Sequence, residues 1–238
     1  MAIFLAYMLG GSSLVMFGAF CYAGSLHLVK WGLSESGTVL LDVCLSLAFF
    51  LQHSGLMRKP FRRYLTRFIP EAFISAIYAI LSGIVLLIVI IFWQGASYTV
   101  ATAEGTLRLL LRLIFAASIT GFYWGTQALG FFDPFGIRAI VYHLRGKKPK
   151  EMPLTVRGPY RWVRHPLYLF ILIMIWSCPD LTLDRLLFNI LWTAWIHVGA
   201  LLEERDLVAA FGDAYRQYQQ KVPMLIPFRI YPSWPNGR

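Results

Sequence analysis

AFISAIYAILSGIVLLIVIIFWQGA, Ala72 to Ala96, contains no charged residue and decides the fold class. A hydrocarbon core about 30 Å thick takes about 20 helical residues to cross. Backbone in lipid must hydrogen-bond to itself, so this run predicts a membrane-spanning helix. Outward from it, Ile3 to Val29 has no charge, Thr38 to Met57 carries only Asp42, and Leu109 to Phe132 carries only Arg112. With 58% hydrophobic and 14% charged residues over 238 positions, the chain is too apolar for an ordinary soluble domain. The first run lacks the basic flank of a signal peptide and exceeds the usual length of its apolar part, so it reads as a retained span.

The cations set the orientation. Arg58 to Arg67 holds five, Gly136 to His165 holds eight, and the tail after Leu202 holds five. Of the 22 Lys and Arg, only Lys30, Arg108, Arg112 and Arg185 fall elsewhere, on or toward the opposite side. Positive loops stay in the cytoplasm, so all three basic segments are expected there. The net charge of +10 is then a topology signal plus attraction to anionic membrane lipids. It carries no nucleic-acid module, and no nucleic-acid partner is expected. Cys21, Cys44 and Cys178 fit neither a metal site nor a disulfide framework and read as packing residues.

The expectation is an all-α integral membrane protein. Residues 1–130 form a four-helix transmembrane region, in which the Gly10-Gly11-Ser12-Ser13 cluster suits close helix packing. Residues 131–238 form a cytoplasmic loop, a helical hairpin and a C-terminal segment. In the hairpin, Leu167 to Cys178 is short for a crossing, Pro179-Asp180 breaks it, and Leu186 to Leu202 returns after Asp184-Arg185; full crossing and partial re-entry both remain open. The return helix continues as a cytoplasmic amphipathic helix, Glu203 to Gln219, where Gly212 permits a bend and Pro223 ends it.

Charge placed against this apolar background marks candidate chemistry. RGPYRWVRHPLY, Arg157 to Tyr168, precedes the hairpin. Pro166 suits the first turn of a helix and biases His165 away from helical angles. Arg161, Arg164 and His165 therefore sit in a loop ahead of a helix N-terminus, which attracts anions. They either anchor the loop to head groups or bind a carboxylate or phosphate. Glu203 and Glu204 end the last long apolar stretch on the same side, where a glutamate pair is costly without partners. The hairpin brings them to the depth of the arginines, as a structural salt-bridge network or as a polar pocket for a zwitterion. His197, two turns before Glu204, is expected on its stripe. His53, in FLQHSG near the end of the second span, is a candidate base or an interhelical hydrogen-bonding group.

RGPYRWVRHPLY, with EERDLVAAFGDAYRQYQQKVP about 35 residues later, resembles the isoprenylcysteine carboxyl methyltransferase and phospholipid methyltransferase superfamily. LQHSGLMRKPFRRYLTRFIP, GFFDPFGIR and the ending VPMLIP are similar to bacterial methanethiol S-methyltransferases and NnrU-like proteins, which extends the likeness to most of the chain. The resemblance implies S-adenosyl-L-methionine as methyl donor, bound at a site facing the cytoplasm of a bacterial inner membrane. It implies that Arg161 or Arg164 pairs with the donor carboxylate and that Glu203 or Glu204 takes its ammonium or ribose. His165, Tyr168, Tyr215 and Tyr218 would add hydrogen bonds and ring contacts, and Met152 to Val156 would line the adenine.

The acceptor so implied is a small or lipophilic thiol such as methanethiol. A thiol must ionise to attack well, which makes His53, with His197 in reserve, the expected catalytic pair. Other readings are methylation of a lipid or prenylcysteine carboxylate, a transport or accessory protein that keeps the fold without chemistry, and a nicotinamide-dependent reductase. The sequence departs from the superfamily at Phe170, where Gly is common, so a phenyl ring is expected to narrow or reshape the pocket.

Overall fold

The protein's structure, a computed structural model, describes residues 1–147, 153–228 and 234. In chain order, α1 (Ala2–Leu5), a π-helical turn (Ala6–Gly11) and α2 (Ser12–Ala23) are followed by α3 (Glu35–Met57), α4 (Lys59–Leu65) and α5 (Glu71–Phe92). Then come β1 (Thr99–Thr102), α6 (Gly105–Leu129), α7 (Ile137–Leu144), a 3₁₀ turn (Gly158–Arg161) and α8 (Pro166–Trp176). The chain continues through β2 (Asp180–Thr182), α9 (Leu183–Phe211) and α10 (Asp213–Lys221).

Among the described residues, five helical stretches are long and apolar enough to cross a membrane: Ala2–Ala23, Glu35–Leu56, Glu71–Phe92, Gly105–Leu129 and Leu183–Phe211. The protein is thus a predominantly helical membrane protein. A helix of the length of α5 rises about 33 Å, whereas α8 rises about 16 Å, half a hydrocarbon core. As a helix, α8 is therefore too short to cross. Large apolar side chains such as Leu109, Leu110, Leu113 and Tyr123 on α6 point outward, as a lipid-facing surface requires.

The chain forms two compact units that interleave in sequence. The first comprises Met1–Thr102, Asp133–Lys150 and Asp180–Leu191. Here α5 packs against α2, α3, α7 and the π-helical turn. Gly83 of α5 sits against the main chain of that turn, where a Cβ would lie 2.7 Å from the Leu9 carbonyl oxygen. Within the predicted Gly-Ser cluster, Gly10 takes the Phe135 ring and Ser13 donates back to the Gly10 carbonyl at 2.8 Å.

Helix ends in this unit are closed by buried charges. Arg185 donates to the last carbonyls of α2, Phe20 at 3.0 Å and Cys21 at 2.9 Å, and lies against the rings of Phe20 and Phe188. A cation at a helix C-terminus is favourable. Asp184 accepts from Trp93 Nε1 at 3.2 Å and Ala96 N at 2.9 Å. Asp42 accepts from Gln94 N at 3.0 Å. Arg185, one of the four cations outside the three basic segments, is thus a buried cap. The all-α expectation needs one correction. β1 and β2 pair antiparallel, with Thr99 opposite Thr182 and Thr102 opposite Asp180. Four residues rich in β-branched side chains between two spans form the strand that the long helical runs overshadow.

The second unit comprises Ala103–Phe132, Glu151–Pro179 and Trp192–Arg238. In it α6 packs against α8 and the 3₁₀ turn, and Trp176 at the end of α8 donates to Thr193 of α9 at 2.9 Å. Gly212 adopts φ +58, a left-handed conformation open to glycine, and separates α9 from α10.

Candidate active site

The second unit brings the charged motif and the glutamate pair together. His165 precedes α8 with φ −120 and ψ 65, non-helical as a residue before proline should be. The N–H groups of Arg164 and His165 donate to the carbonyls of Pro223 at 2.9 Å and Met224 at 3.0 Å. The segment after α10 therefore runs along the motif and fixes its backbone.

Glu203 and Glu204 are adjacent on α9, about 100° apart around its axis, and they take different environments. Glu204 is buried. Its Oε1 accepts from Arg164 Nε at 2.5 Å and lies 3.2 Å from His165 Nε2, while its Oε2 accepts from Gln219 Nε2 at 2.8 Å. The partner arginine also donates through Nη1 to the carbonyls of Gln219, at 2.9 Å, and Val222, which caps the C-terminus of α10. Arg164 and Glu204 form one closed, charge-assisted knot. Glu203, with its side chain 46% exposed, instead accepts from the Tyr168 hydroxyl at 2.7 Å and lies 3.8 Å from His165 Nδ1. The Tyr168 and His165 rings stack at 5.4 Å.

Arg161 is half-buried. Its Nε donates to the Trp234 carbonyl at 2.9 Å, and no partner meets its Nη1 or Nη2 among the described residues. The indole N–H of Trp162 is buried without a partner among the described residues, with its ring edge-on to Trp124 at 5.5 Å.

Tyr215 and Tyr218 lie in the core rather than at an open surface. With Val222 they form a buried cluster covered by Leu154, Val156, Leu207, Val208, Phe211 and Trp234. Tyr218 donates its hydroxyl to the Tyr160 carbonyl at 2.5 Å. Burial pushes Tyr160, Tyr215 and Tyr218 well above the ordinary phenol range, so their hydroxyls stay protonated. Of the patch expected to line an adenine, Leu154 and Val156 belong to this cluster, and Met152 lies outside the described residues.

The two histidines differ. In the first unit His53 lies 2.8 Å from the Tyr78 hydroxyl through Nε2 and stacks on Phe49 at 5.0 Å. His197 is exposed on α9, unlike Glu204 two turns further on, because α10 and the motif loop cover that stripe only at its C-terminal end. Phe170 is also placed. Its ring fills the notch at Gly121 on α6, where a Cβ would lie 2.3 Å from it. The phenyl that replaces the superfamily's common glycine is thus taken up between α6 and α8. Gln219 and Trp234 had no sequence signal beyond polarity and aromaticity.

No family model matches the sequence, and no solved structure matches. Curated relatives do. A methanethiol S-methyltransferase from a Pseudomonas species is 37% identical over 208 residues, covering 84% of this chain and 76% of the relative. The chain belongs to the methanethiol S-methyltransferase family. A member of that family from Mycobacterium tuberculosis is 34% identical over 203 residues, 83% of this chain and 79% of the relative. One from Crocosphaera subtropica is 31% identical over 233 residues, 90% and 91%. Membership makes the chain a methyltransferase, which needs a methyl donor, and sets the closed Arg164–Glu204 knot and the half-exposed Glu203 in that context.

Proposed function

We propose that the chain methylates methanethiol with S-adenosyl-L-methionine at the cytoplasmic face of a bacterial inner membrane, giving dimethyl sulfide. Similarity to methanethiol S-methyltransferases over most of the chain carries this reading. The concentration of Lys and Arg in three segments of the sequence supports the orientation.

The second unit's residues suit the donor's chemistry. Glu203 offers a carboxylate only partly engaged by Tyr168, fit for an ammonium or ribose hydroxyls. Arg161 offers its Nη1/Nη2 edge for the carboxylate, whereas Arg164 is largely committed to Glu204 and α10. The indole N–H of Trp162, without a partner among the described residues, offers a further donor. Bound, S-adenosylmethionine supplies an electrophilic methyl carbon on a sulfonium. The residues around it then act by positioning and by excluding water. His53, set by Tyr78, is the proposed acceptor of the thiol proton, with His197 in reserve. The thiol sulfur would take up the methyl group as its proton passes to His53, and the donor would leave as its neutral thioether.

Purified protein in detergent, given methanethiol and methyl-labelled donor, should release label as volatile dimethyl sulfide. Label in lipid or protein would contradict the acceptor assignment. His53→Ala should cut turnover by about 10²-fold or more with donor affinity unchanged; equal loss of both would make His53 structural.

A further inference from the structure

Trp234 meets the rest of the second unit through both its main chain and its ring. Its carbonyl accepts from Arg161 Nε at 2.9 Å, and its N–H donates to the Arg161 carbonyl at 3.2 Å. Its ring stands perpendicular to Tyr218 at 5.5 Å, and Lys221 Nζ lies 5.1 Å from the ring centre. The ring thus anchors Trp234 on α10 through an edge-to-face and a cation–π contact, and the main chain clasps Arg161 at backbone and side chain together.

From this clasp we infer that Trp234 is a positioning residue for donor binding, acting through Arg161; the inference rests on the assignment of Arg161 to the donor carboxylate. A guanidinium has a rigid fork of five donors. A bond at Nε fixes its plane and leaves the Nη1/Nη2 edge for a two-point grip on a carboxylate. An unheld arginine loses rotamer freedom when it closes on an anion, and one already oriented loses less, so the clasp raises affinity by preorganisation. Arg164 reaches the same rigidity through Glu204 and α10 but leaves less of its fork free. Trp234 therefore selects which arginine reads the donor's amino-acid end.

The test uses full-length protein in detergent and calorimetric affinities for S-adenosylmethionine and for methylthioadenosine, which lacks the amino-acid end. Trp234→Ala should weaken S-adenosylmethionine binding about 5- to 20-fold, while Trp234→Phe, which keeps a ring against Tyr218 and Lys221, stays within about twofold. Methylthioadenosine affinity should be unchanged in both. Arg161→Ala should weaken S-adenosylmethionine binding at least as much, and the double variant should be no weaker than Arg161→Ala alone. Wild-type affinity in Trp234→Ala, additive losses in the double variant, or a matching loss for methylthioadenosine would overturn the inference. Should Arg161→Ala itself bind like wild type, the carboxylate assignment fails first and takes the role of Trp234 with it.

Discussion

Glu204 holds three polar partners inside a buried knot, and its neighbour Glu203 holds one hydroxyl at a half-exposed surface. The two acids of one dipeptide therefore do different work. Removing Glu204 takes the carboxylate from Arg164 Nε and His165 Nε2, on side chains that are both nearly buried, and a broken buried pair costs about 3–5 kcal/mol. Glu204→Ala should accordingly lower the thermal midpoint in detergent steeply, and it should do so without donor present. The sequence made the pair visible, because two carboxylates at the end of an apolar helix need partners. Which of them is buried was not visible. That depends on Gln219 and on the segment after Pro223, whose return along the motif leaves no local pattern.

The helices were legible from runs of residues without charge, and the short α8 from its length. What escaped was pairing that rests on shape. Phe170, at a position where glycine is common in the superfamily it resembles, reads as narrowing or reshaping a pocket, and the sequence does not show that Gly121 on α6 supplies a notch for its ring. A methyl group at Gly121 would meet that ring at 2.3 Å, and overpacking of this kind costs about 1–3 kcal/mol. Gly121→Ala should be destabilising by that order in thermal unfolding, and adding Phe170→Ala should recover part of the loss, a non-additivity that independent sites would not give. The seating of α10 has its own signature. Tyr160, Tyr215 and Tyr218 have raised pKa values because burial disfavours phenolate. Their contribution to stability is complete below the unfolded value of about 10 and is lost as pH rises beyond it. Circular dichroism melts should therefore fall in the alkaline range, with the tyrosinate absorbance of these three residues appearing only together with unfolding.

At the scale of the molecule, charge is sorted by function. Most cations lie in three segments of the sequence, while Arg185 and Asp184 are buried at helix ends in the first unit. The second unit gathers the motif, the glutamate pair and α10 into one polar knot with Glu203 left accessible at its edge. Family membership makes the chain a methyltransferase, and the assignment of that edge to the methyl donor is the claim on which the mechanism depends. Calorimetric titration of S-adenosylmethionine into detergent-solubilised wild type and Glu203→Ala tests it most directly. Saturable binding by the wild type, weakened about tenfold or more in Glu203→Ala at an unchanged melting temperature, is the predicted result; equal affinity in the two proteins, or no wild-type binding at about millimolar donor, would contradict it.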